Sequence, residues 1–406
     1  MHERRRFLRM LGGIAAGVAT SAAHAVSNSP QRGSARAADA APVSLFLCGD
    51  VMTGRAIDQI LPHPSPPQLH ESYIHDARDY LALAERESGD IPHPAPLAYI
   101  WGDALAELAQ RRPAARIINL ETSITRSDTP WPKGINYRMH PDNVGCLTAA
   151  QIDCCSLANN HVLDWQREGL AETLATLHRA KIATAGAGAD LDAALAPAIL
   201  PLRGGVRLLV FAAATADSGV PEEWEATAKR SGVHLLPDLS TATAMRIAAL
   251  VRRYRSPGDR VVCSLHWGGN WGYAISNAQR TFAHALIDEA GVDIVHGHSS
   301  HHPRAIEVYR DRPILYGCGD FLNDYEGIEG HEAYRGELGL MYFPTLDLAT
   351  GRLRELELVP TRIRRFRVNH AQAEDRDWLL AMLRRECGTF GGEVRAEAGG
   401  VFELRW

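Results

Sequence analysis

Short apolar or β-branched runs alternate with amphipathic helical stretches along most of this chain, and this alternation constrains the fold more than any other feature. The strand-like runs are 43–48, 115–120, 154–158, 199–202, 206–212, 260–265, 292–295 and 314–316. Helical periodicity is clearest over 170–180, 240–253 and 278–290. We therefore predict an α/β fold with mostly parallel strands, in which the regions before and after about residue 205 each supply one sheet.

Residues 58–100 differ from this pattern because Pro, His, Tyr and Ser are frequent there. We predict a long excursion from the core with one helix over 80–88. Long loops in compact domains are often lids or binding loops, and a solvated insertion explains the same composition equally well. Downstream, two strand patterns within 338–362 flank the turn signal ATG (349–351), which predicts a hairpin. The last residues predict a helix over 375–386 and a strand over 401–406.

The N-terminus has the composition of an export signal. The basic segment RRRFLR (4–9) precedes an apolar run over 10–23, which is shorter than the roughly 20 residues needed to cross a membrane. The segment AHA (23–25) matches a signal-peptide cleavage site. The basic segment is similar to a twin-arginine signal, with Sec export or an uncleaved anchor as alternatives. We predict a signal peptide over 1–25, a flexible linker over 26–41 and an exported, periplasmic or other extracytoplasmic location.

Polar residues follow the strand-like runs at five places. These are CGDVM (48–52), NLET (119–122), ANNHVLD (158–164), HWG (266–268) and HGHSSHH (296–302). In the first, Gly49 is expected to allow a tight turn that projects Asp50 from the strand end. Ligands gather at the carboxyl ends of parallel strands, so we expect these side chains to meet. Mixed oxygen and nitrogen ligands suit a divalent transition metal such as Zn, Mn or Fe.

Composition narrows the classes of function. The chain has 406 residues, 18 histidines and a net charge of −5. Nucleic-acid-binding proteins usually carry a basic footprint, and no basic block lies beyond the N-terminus, so we expect no nucleic-acid partner. Histidine is the commonest metal ligand, although many of the 18 are expected to be ordinary solvated residues. A polyanion would need a local cationic or metal-lined groove, because the net charge does not attract it.

Seven motifs together are specific to one family. They are GDVMTGR (49–55), INLETSIT (118–125), NYRMHPDNV (136–144), SLANNHVLDWQREGLAETL (156–174), HWGGNW (266–271), VDIVHGHSSHHPRAIEVY (292–309) and ILYGCGDFLND (314–324). Through them the chain resembles the CapA family, the poly-γ-glutamate capsule-biosynthesis proteins of the calcineurin-like metallophosphatase superfamily. The resemblance implies an α/β fold built as a four-layer α/β/β/α sandwich of two mixed sheets. It implies one metallophosphatase-like domain over 42–365, and we expect 366–406 to add a helix and a strand that pack on it.

The resemblance also implies a set of ligands for one or two divalent ions, Mn, Fe or Zn. The matching positions are Asp50, Glu121, Asn160, His266, His298 and His301. Glu121 stands where an acidic ligand can bridge two ions. Met52 stands where the superfamily has a histidine ligand, which leaves the second ion in doubt. Asp320 stands where relatives commonly have asparagine, and it either replaces the lost ligand or caps a turn.

Other residues are candidates for catalysis and substrate binding. The resemblance implies that His161 acts near the substrate, as a general acid that protonates the leaving group. Asp164 either orients His161 or caps the helix that follows. Arg55 and Arg138 are candidates for binding an anionic group, although solvated arginines are more common.

The resemblance implies a role in poly-γ-glutamate or cell-envelope polymer biosynthesis. We expect a metal-dependent hydrolase that acts on an anionic polymer or a small-molecule substrate, with membrane-associated capsule-synthesis machinery as a partner. The alternatives are a non-catalytic accessory protein that binds or helps to export an anionic polymer, and a phosphoesterase unrelated to capsule. Fold alone does not choose among them, because one fold carries many functions.

Overall fold

A computed structural model describes residues 41–406. Two mixed sheets pack against each other and helices cover them, which confirms the predicted α/β sandwich. The predicted signal peptide and the predicted linker up to residue 40 lie outside the described residues. Among the helices of residues 41–406, none is both long and apolar enough to span a membrane.

The larger sheet has the strand order β21-β22-β19-β18-β2-β3-β6-β7. The half from β2 to β7 is parallel, and the half from β21 to β18 is antiparallel. Three short strands are added to this order: β1 pairs with β18, β17 with β2 and β20 with β19. The bounds are β1 Val43–Ser44, β2 Phe46–Val51, β3 Arg116–Leu120, β6 Cys154–Ser156, β7 Ala183–Ala185, β17 Asp320–Leu322, β18 Leu338–Leu346, β19 Leu353–Ile363, β20 Val368–His370, β21 Glu393–Ala396 and β22 Phe402–Arg405.

The smaller sheet has the strand order β12-β10-β13-β14-β16-β15, with β9 antiparallel to β10. Strands β10, β13, β14 and β16 are parallel. Its bounds are β9 Ala198–Pro201, β10 Arg207–Thr215, β12 Leu235–Leu236, β13 Arg260–His266, β14 Ile294–His298, β15 Ile306–Tyr309 and β16 Arg312–Leu315. Two further strand pairs are separate, β4 Ser123–Ile124 with β5 Arg138–Met139 and β8 Ala187–Gly188 with β11 Gly232–Val233.

Each of the five predicted helices is present, with differences of a few residues at its ends, and the described residues contain four further short helices, at 55–60, 104–111, 145–149 and 191–195, that were not predicted. Their bounds are α1 Arg55–Ile60, α2 Ala77–Ser88, α3 Ala104–Arg111, α4 Gly145–Ala149, α5 Gln166–Arg179, α6 Leu191–Leu195, α7 Thr241–Tyr254, α8 Asn277–Ala290 and α9 Ala373–Gly388. Alternate residues of β10 show how the layers form, because a strand points successive side chains to opposite faces. Leu208 and Val210 belong to the larger core shared with the large sheet, whereas Leu209 and Phe211 pack with α7 and α8.

The expected division of the sheets at residue 205 is wrong for residues 320–405. The smaller sheet is built from residues 198–315, but strands β17 to β22 return to the larger sheet. The predicted hairpin within 338–362 is β18 and β19, and it pairs directly with β2. The final strand β22 pairs with β19, so the last residues extend the larger sheet.

The excursion at 58–100 packs on the segment that follows β17. Its helix α2 confirms the predicted helix, although it begins at Ala77 rather than at residue 80. The hydroxyl of Ser88 donates to Glu326 at 2.6 Å, and Leu83 lies against Gly327. The excursion is therefore in contact with residues 326 and 327, which lie shortly after Asp320 in the chain.

Candidate metal centre

Strands of both sheets bring the candidate ligands to one place. Asp50 lies near the end of β2, and the neighbouring parallel strands place Asn119 of β3 and Asp320 of β17 in register with it. In the smaller sheet, β13 and β14 end side by side with His266 and His298 in register. Because β14 also contacts β2, carboxylates from one sheet face imidazoles from the other.

Glycine at position 49 permits close approach between β2 and the residues before β17. The structure places Gly49 inside β2, so the expected tight turn is wrong. A Cβ atom at this position would lie 1.8 Å from the carbonyl oxygen of Gly319, a separation that only glycine avoids. Close backbone packing therefore requires Gly49, and this packing places Asp320 beside Asp50.

Asp50 and Glu121 are buried carboxylates that share one amide donor. Nδ2 of Asn119 donates to Oδ1 of Asp50 at 2.7 Å and to Oε2 of Glu121 at 2.9 Å. Burial and the proximity of other carboxylates raise the pKa of both groups above the usual range. Within residues 41–406, the basic side chains that come within 4.0 Å of these carboxylates are all histidines, and none is a lysine or an arginine. The site therefore has excess negative charge that a bound cation would balance.

His266 and His298 form a buried imidazole pair opposite these carboxylates. Their Nδ1 atoms are 2.9 Å apart. Nδ1 of His266 lies 3.9 Å from Oε2 of Glu121, and Nδ1 of His298 lies 3.9 Å from Oδ1 of Asp50. Burial lowers the pKa of both histidines well below the ordinary value, so both are neutral near pH 7, which is the form that binds metals.

His301 and Asp320 form a second group of ligand atoms that shares Asp50. Nδ1 of His301 lies 2.9 Å from Oδ1 of Asp320. In this group, one ligand atom from each of the three residues Asp50, His301 and Asp320 lies within 4.8 Å of the other two atoms. The ligand atoms of Asp50, His266 and His298 form a first group that meets the same distance. The buried position of Asp320 between Asp50 and His301 favours replacement of the lost ligand over a turn cap.

Asn160 supplies a buried oxygen that has no partner among the described residues. Its Oδ1 atom accepts no hydrogen bond there. By contrast, the amide of the adjacent Asn159 donates to Oδ1 of Asn119 at 3.0 Å and to the carbonyl of Leu120 at 2.8 Å. A buried oxygen without a donor is costly unless a ligand satisfies it. Together with uncompensated carboxylates and neutral imidazoles, this oxygen fits a divalent transition metal.

His161 lies at the edge of this cluster. Its Nδ1 atom is 2.6 Å from Oδ2 of Asp164, and its Nε2 atom is 4.0 Å from Oε1 of Glu121. The rings of His161 and Tyr137 meet edge to face with centroids 4.4 Å apart. Burial lowers the pKa of His161 to about 4; the Asp164 carboxylate opposes this shift and the Lys133 ammonium adds to it. The imidazole is therefore neutral, with Nε2 directed at the ligands.

Asp164 is placed to orient His161 and not to cap a helix. The following helix α5 begins at Gln166, and its N-terminus has no side-chain cap. Oδ2 of Asp164 accepts from the backbone N–H of Tyr137 at 2.6 Å as well as facing Nδ1 of His161. A carboxylate held in this way fixes the Nδ1–H tautomer of a histidine and leaves Nε2 as the free nitrogen.

The two arginines proposed to bind substrate are both buried in protein contacts. Arg55 donates from Nε and Nη2 to the carboxylate of Asp324, at 3.1 and 2.5 Å, and from Nη1 to Glu71 at 2.9 Å. Arg138 donates to the carbonyl of Ser127 at 2.6 Å, and its guanidinium lies 3.9 Å above the ring of Trp165. These contacts favour structural roles, and substrate binding by either arginine stays a prediction.

Replacing Arg55 by methionine is expected to destabilise the fold by about 3–5 kcal/mol, because the buried carboxylates of Asp324 and Glu71 would lose their cation. Urea denaturation followed by circular dichroism measures this loss. Arg395, which forms an exposed pair with Glu393, provides the control, since Arg395→Met should leave the urea midpoint nearly unchanged. Equal midpoints for the two variants would contradict the structural role of Arg55.

Sequence reasoning missed Asn119 and Lys133. Asn119 precedes Glu121 by two residues at the end of a strand, and this period places both side chains on one face, so the signal was present. Lys133 approaches His161 from a long loop, with Nζ 2.7 Å from Oδ1 of Asp164. No local spacing relates positions 133 and 164, so only the folded chain reveals this contact.

Comparison with known proteins adds an independent observation. A family model described as "Bacterial capsule synthesis protein PGA_cap" matches residues 44–325. The "Probable polyglutamine synthesis accessory protein" of Mycobacterium tuberculosis is 48% identical over 364 residues, which cover 89% of this chain and 96% of that protein. The "PGA biosynthesis protein CapA" of Bacillus subtilis is 27% identical over 284 residues, covering 70% of this chain and 63% of that protein. The "Capsule biosynthesis protein CapA" of Bacillus anthracis is 23% identical over 286 residues, covering 70% of this chain and 60% of that protein.

Proposed function

Since the chain belongs to the bacterial capsule synthesis protein family, we propose that it is a metal-dependent hydrolase of poly-γ-glutamate, capsule or cell-envelope polymer biosynthesis. The observation that carries the hydrolase activity is the convergence of buried carboxylates and neutral histidines at the strand ends, with His161 at their edge. The polymer is proposed from the family and from the names of the relatives.

The proposed centre holds two divalent ions, Mn, Fe or Zn. Asp50, His266 and His298 would hold one ion together with Glu121 and Asn160, and Asp50, His301 and Asp320 would hold the other. Asp320 would replace the histidine ligand that the superfamily has at the position of Met52. Divalent ions supply Lewis-acid chemistry, because they polarise a phosphoryl or carbonyl oxygen and make water a stronger nucleophile near pH 7.

His161 moves the proton in the proposed reaction. Its Nδ1–H donates to Asp164, so Nε2 is unprotonated at rest and accepts the proton of the attacking water. The same Nε2 then donates this proton to the leaving group, so one proton passes from water to the departing oxygen or nitrogen. In this reaction His161 acts first as a general base toward water and then as the general acid that the resemblance implies.

The proposed substrate is an anionic polymer or a small anionic molecule, and we propose that the protein acts outside the cytoplasm beside membrane-associated capsule-synthesis machinery. Its N-terminal basic and apolar segment supports export. Recognition of a polyanion is expected to rely on the metal centre, because Arg55 and Arg138 are already engaged.

A non-catalytic accessory role is the second candidate, and the name of the Mycobacterium tuberculosis relative, an accessory protein, supports it. In that role the same metal centre would bind an anionic polymer without cleaving it. A phosphoesterase unrelated to capsule is the third candidate, and it differs from the first only in substrate.

Turnover distinguishes these candidates. The purified protein is assayed on a γ-glutamyl polymer and on a generic phosphodiester, before chelation, after chelation and after readdition of Mn²⁺, Fe²⁺ or Zn²⁺. We expect hydrolysis that is lost with the chelator and restored by a metal. Cleavage of the phosphodiester alone would favour the unrelated phosphoesterase. Bound metal with no turnover on either substrate would favour the accessory role.

Replacing Asp320 by asparagine is expected to lower the metal content from two ions per chain to about one. The amide keeps the shape of the side chain but removes the charge that a hard divalent ion prefers. Elemental analysis by mass spectrometry measures the ratio. The control is Asp377→Asn, at an exposed aspartate on α9, which should keep both ions. Two ions retained in Asp320→Asn would mean that Asp320 is not a ligand.

A further inference from the structure

Lys133 makes contacts beside the proposed site that the reaction described so far does not use. Its side chain is 19% exposed, and Nζ lies 2.7 Å from Oδ1 of Asp164. Nζ also donates to the backbone carbonyl of Asn160 and lies 3.4 Å from Nδ1 of His161. One ammonium therefore touches a proposed metal ligand, the proton-transfer histidine and the carboxylate that orients this histidine.

The loop that carries Lys133 encloses Asp164 from several sides. The backbone N–H of Trp131 donates to the carbonyl of Asp164 at 2.6 Å, and Nδ2 of Asn136 donates to the same carbonyl at 3.1 Å. The backbone N–H of Tyr137 donates to Oδ2 at 2.6 Å. These donors fix the backbone and one carboxylate oxygen of Asp164. The other oxygen, Oδ1, is buried and accepts no hydrogen bond within residues 41–406, and Lys133 is its ionic partner there.

The position of Lys133 is maintained by aromatic packing. Its ammonium lies 5.2 Å from the ring centroid of Trp224, and the rings of Trp131 and Trp224 meet edge to face. A cation over an aromatic face is attracted to it. The sequence has lysine only at positions 133, 181 and 229, although Lys and Arg together number 43. This site therefore has one of the few lysines of a chain whose basic residues are almost all arginine.

We propose that Lys133 is a positioning residue that holds the Asp164 carboxylate so that His161 keeps its Nδ1–H tautomer and presents Nε2 to the metal centre. The expected effect of Lys133 on catalysis rests on the proposed hydrolase function. Its expected effect on the tautomer of His161 does not. Without Lys133, Oδ1 of Asp164 would lose its ionic partner, and the carboxylate could rotate away from Nδ1 of His161. Partners of this kind around a metal site typically contribute about 10–100-fold to activity.

Two measurements on Lys133→Met test this inference. Long-range ¹H–¹⁵N NMR of the chelated protein reports which nitrogen of His161 carries the proton, and a His161→Asn spectrum identifies the signals. We expect the wild-type protein to show one Nδ1–H form and Lys133→Met to show a mixture of tautomers. With saturating Zn²⁺, we expect kcat on the phosphodiester to fall about 10–100-fold with little change in KM.

Matched variants separate positioning from folding. Lys133→Arg keeps the charge and is expected to restore the Nδ1–H form and most of kcat, which a packing role alone would not produce. Lys133→Gln, which also removes the charge, replaces Lys133→Met in both measurements if the methionine variant does not fold. Lys229→Met removes an exposed lysine and should match the wild-type protein in both measurements.

The outcomes distinguish this inference from the proposed function. A wild-type tautomer in both Lys133→Met and Lys133→Gln would overturn the positioning role, whatever the activity. A mixture of tautomers in these variants, in a protein that hydrolyses neither substrate, would leave the positioning role intact and reject the hydrolase. A shifted tautomer with unchanged kcat would overturn the catalytic consequence of the proposal.

Discussion

The double variant Asp50→Asn, His298→Asn is expected to purify with much less than one divalent ion per chain and to lose hydrolysis by more than about 100-fold. Asp50 belongs to both groups of ligand atoms, and His298 belongs to one of them. Since loss of a residue that only supports a ligand already costs about 10–100-fold in metal affinity or activity, loss of two direct ligands should cost more. Asparagine has the shape of aspartate at position 50, and at position 298 it keeps a hydrogen-bonding group in a smaller side chain.

Exposed residues of the same types supply the control for this variant. Asp377 and His178 lie on α9 and α5 with exposed side chains. The variant Asp377→Asn, His178→Asn should keep the metal content and the turnover of the wild-type protein. Elemental analysis and the phosphodiester assay measure both variants. If the Asp50, His298 variant kept two ions and full turnover, the ligand assignment would be wrong.

His161→Ala is expected to lower kcat by about 10²–10⁴-fold while the metal content stays at the wild-type value. The size of the effect is that of a lost acid–base residue. The metal is expected to remain because Nε2 of His161 lies 4.0 Å from the nearest Glu121 oxygen and His161 is not among the proposed ligands. Steady-state turnover, measured together with elemental analysis on the same sample, shows both properties.

The matched control is His178→Ala, which removes an exposed histidine on α5. It should change neither turnover nor metal content. Unchanged kcat in His161→Ala would reject the proton-transfer role. Loss of the metal together with kcat would instead place His161 among the ligands.

Much of the candidate site was predictable because of one physical rule. The carboxyl ends of neighbouring parallel strands meet at one edge of a sheet, so a polar residue at each strand end is enough to predict a common site. This rule groups Asp50 with Glu121 in the larger sheet and His266 with His298 in the smaller sheet. The sandwich of two sheets implied by the family resemblance is what brings the two groups together. The family resemblance then assigned their roles and added Asn160 and His301, both in loops after strands.

The position of Asp320 beside Asp50 could not be predicted from this rule. It comes beside Asp50 because β17 adds in parallel to β2, more than 260 residues later in the chain. Nothing in the local sequence indicates that the chain crosses back from the smaller sheet to the larger one at that point. The same return of β17 to β22 is why the expected division of the sheets failed.

The buried arginines illustrate a second limit. Arg55 follows a strand end in the motif GDVMTGR, and this placement suggested substrate binding. Its partners come from the 58–100 excursion, which supplies Glu71, and from the residue Asp324 after β17. Ion pairs between such distant segments carry no periodicity, so charge and motif position alone could not distinguish a buried arginine from a free one.

Elemental analysis of the purified wild-type protein tests the central claim most directly. The protein is loaded separately with Mn²⁺, Fe²⁺ and Zn²⁺, dialysed to remove loosely bound ions, and measured by mass spectrometry against its own concentration. We predict about two ions per chain for at least one of these metals. Retention of less than about a tenth of an ion per chain for all three metals would contradict the metal centre.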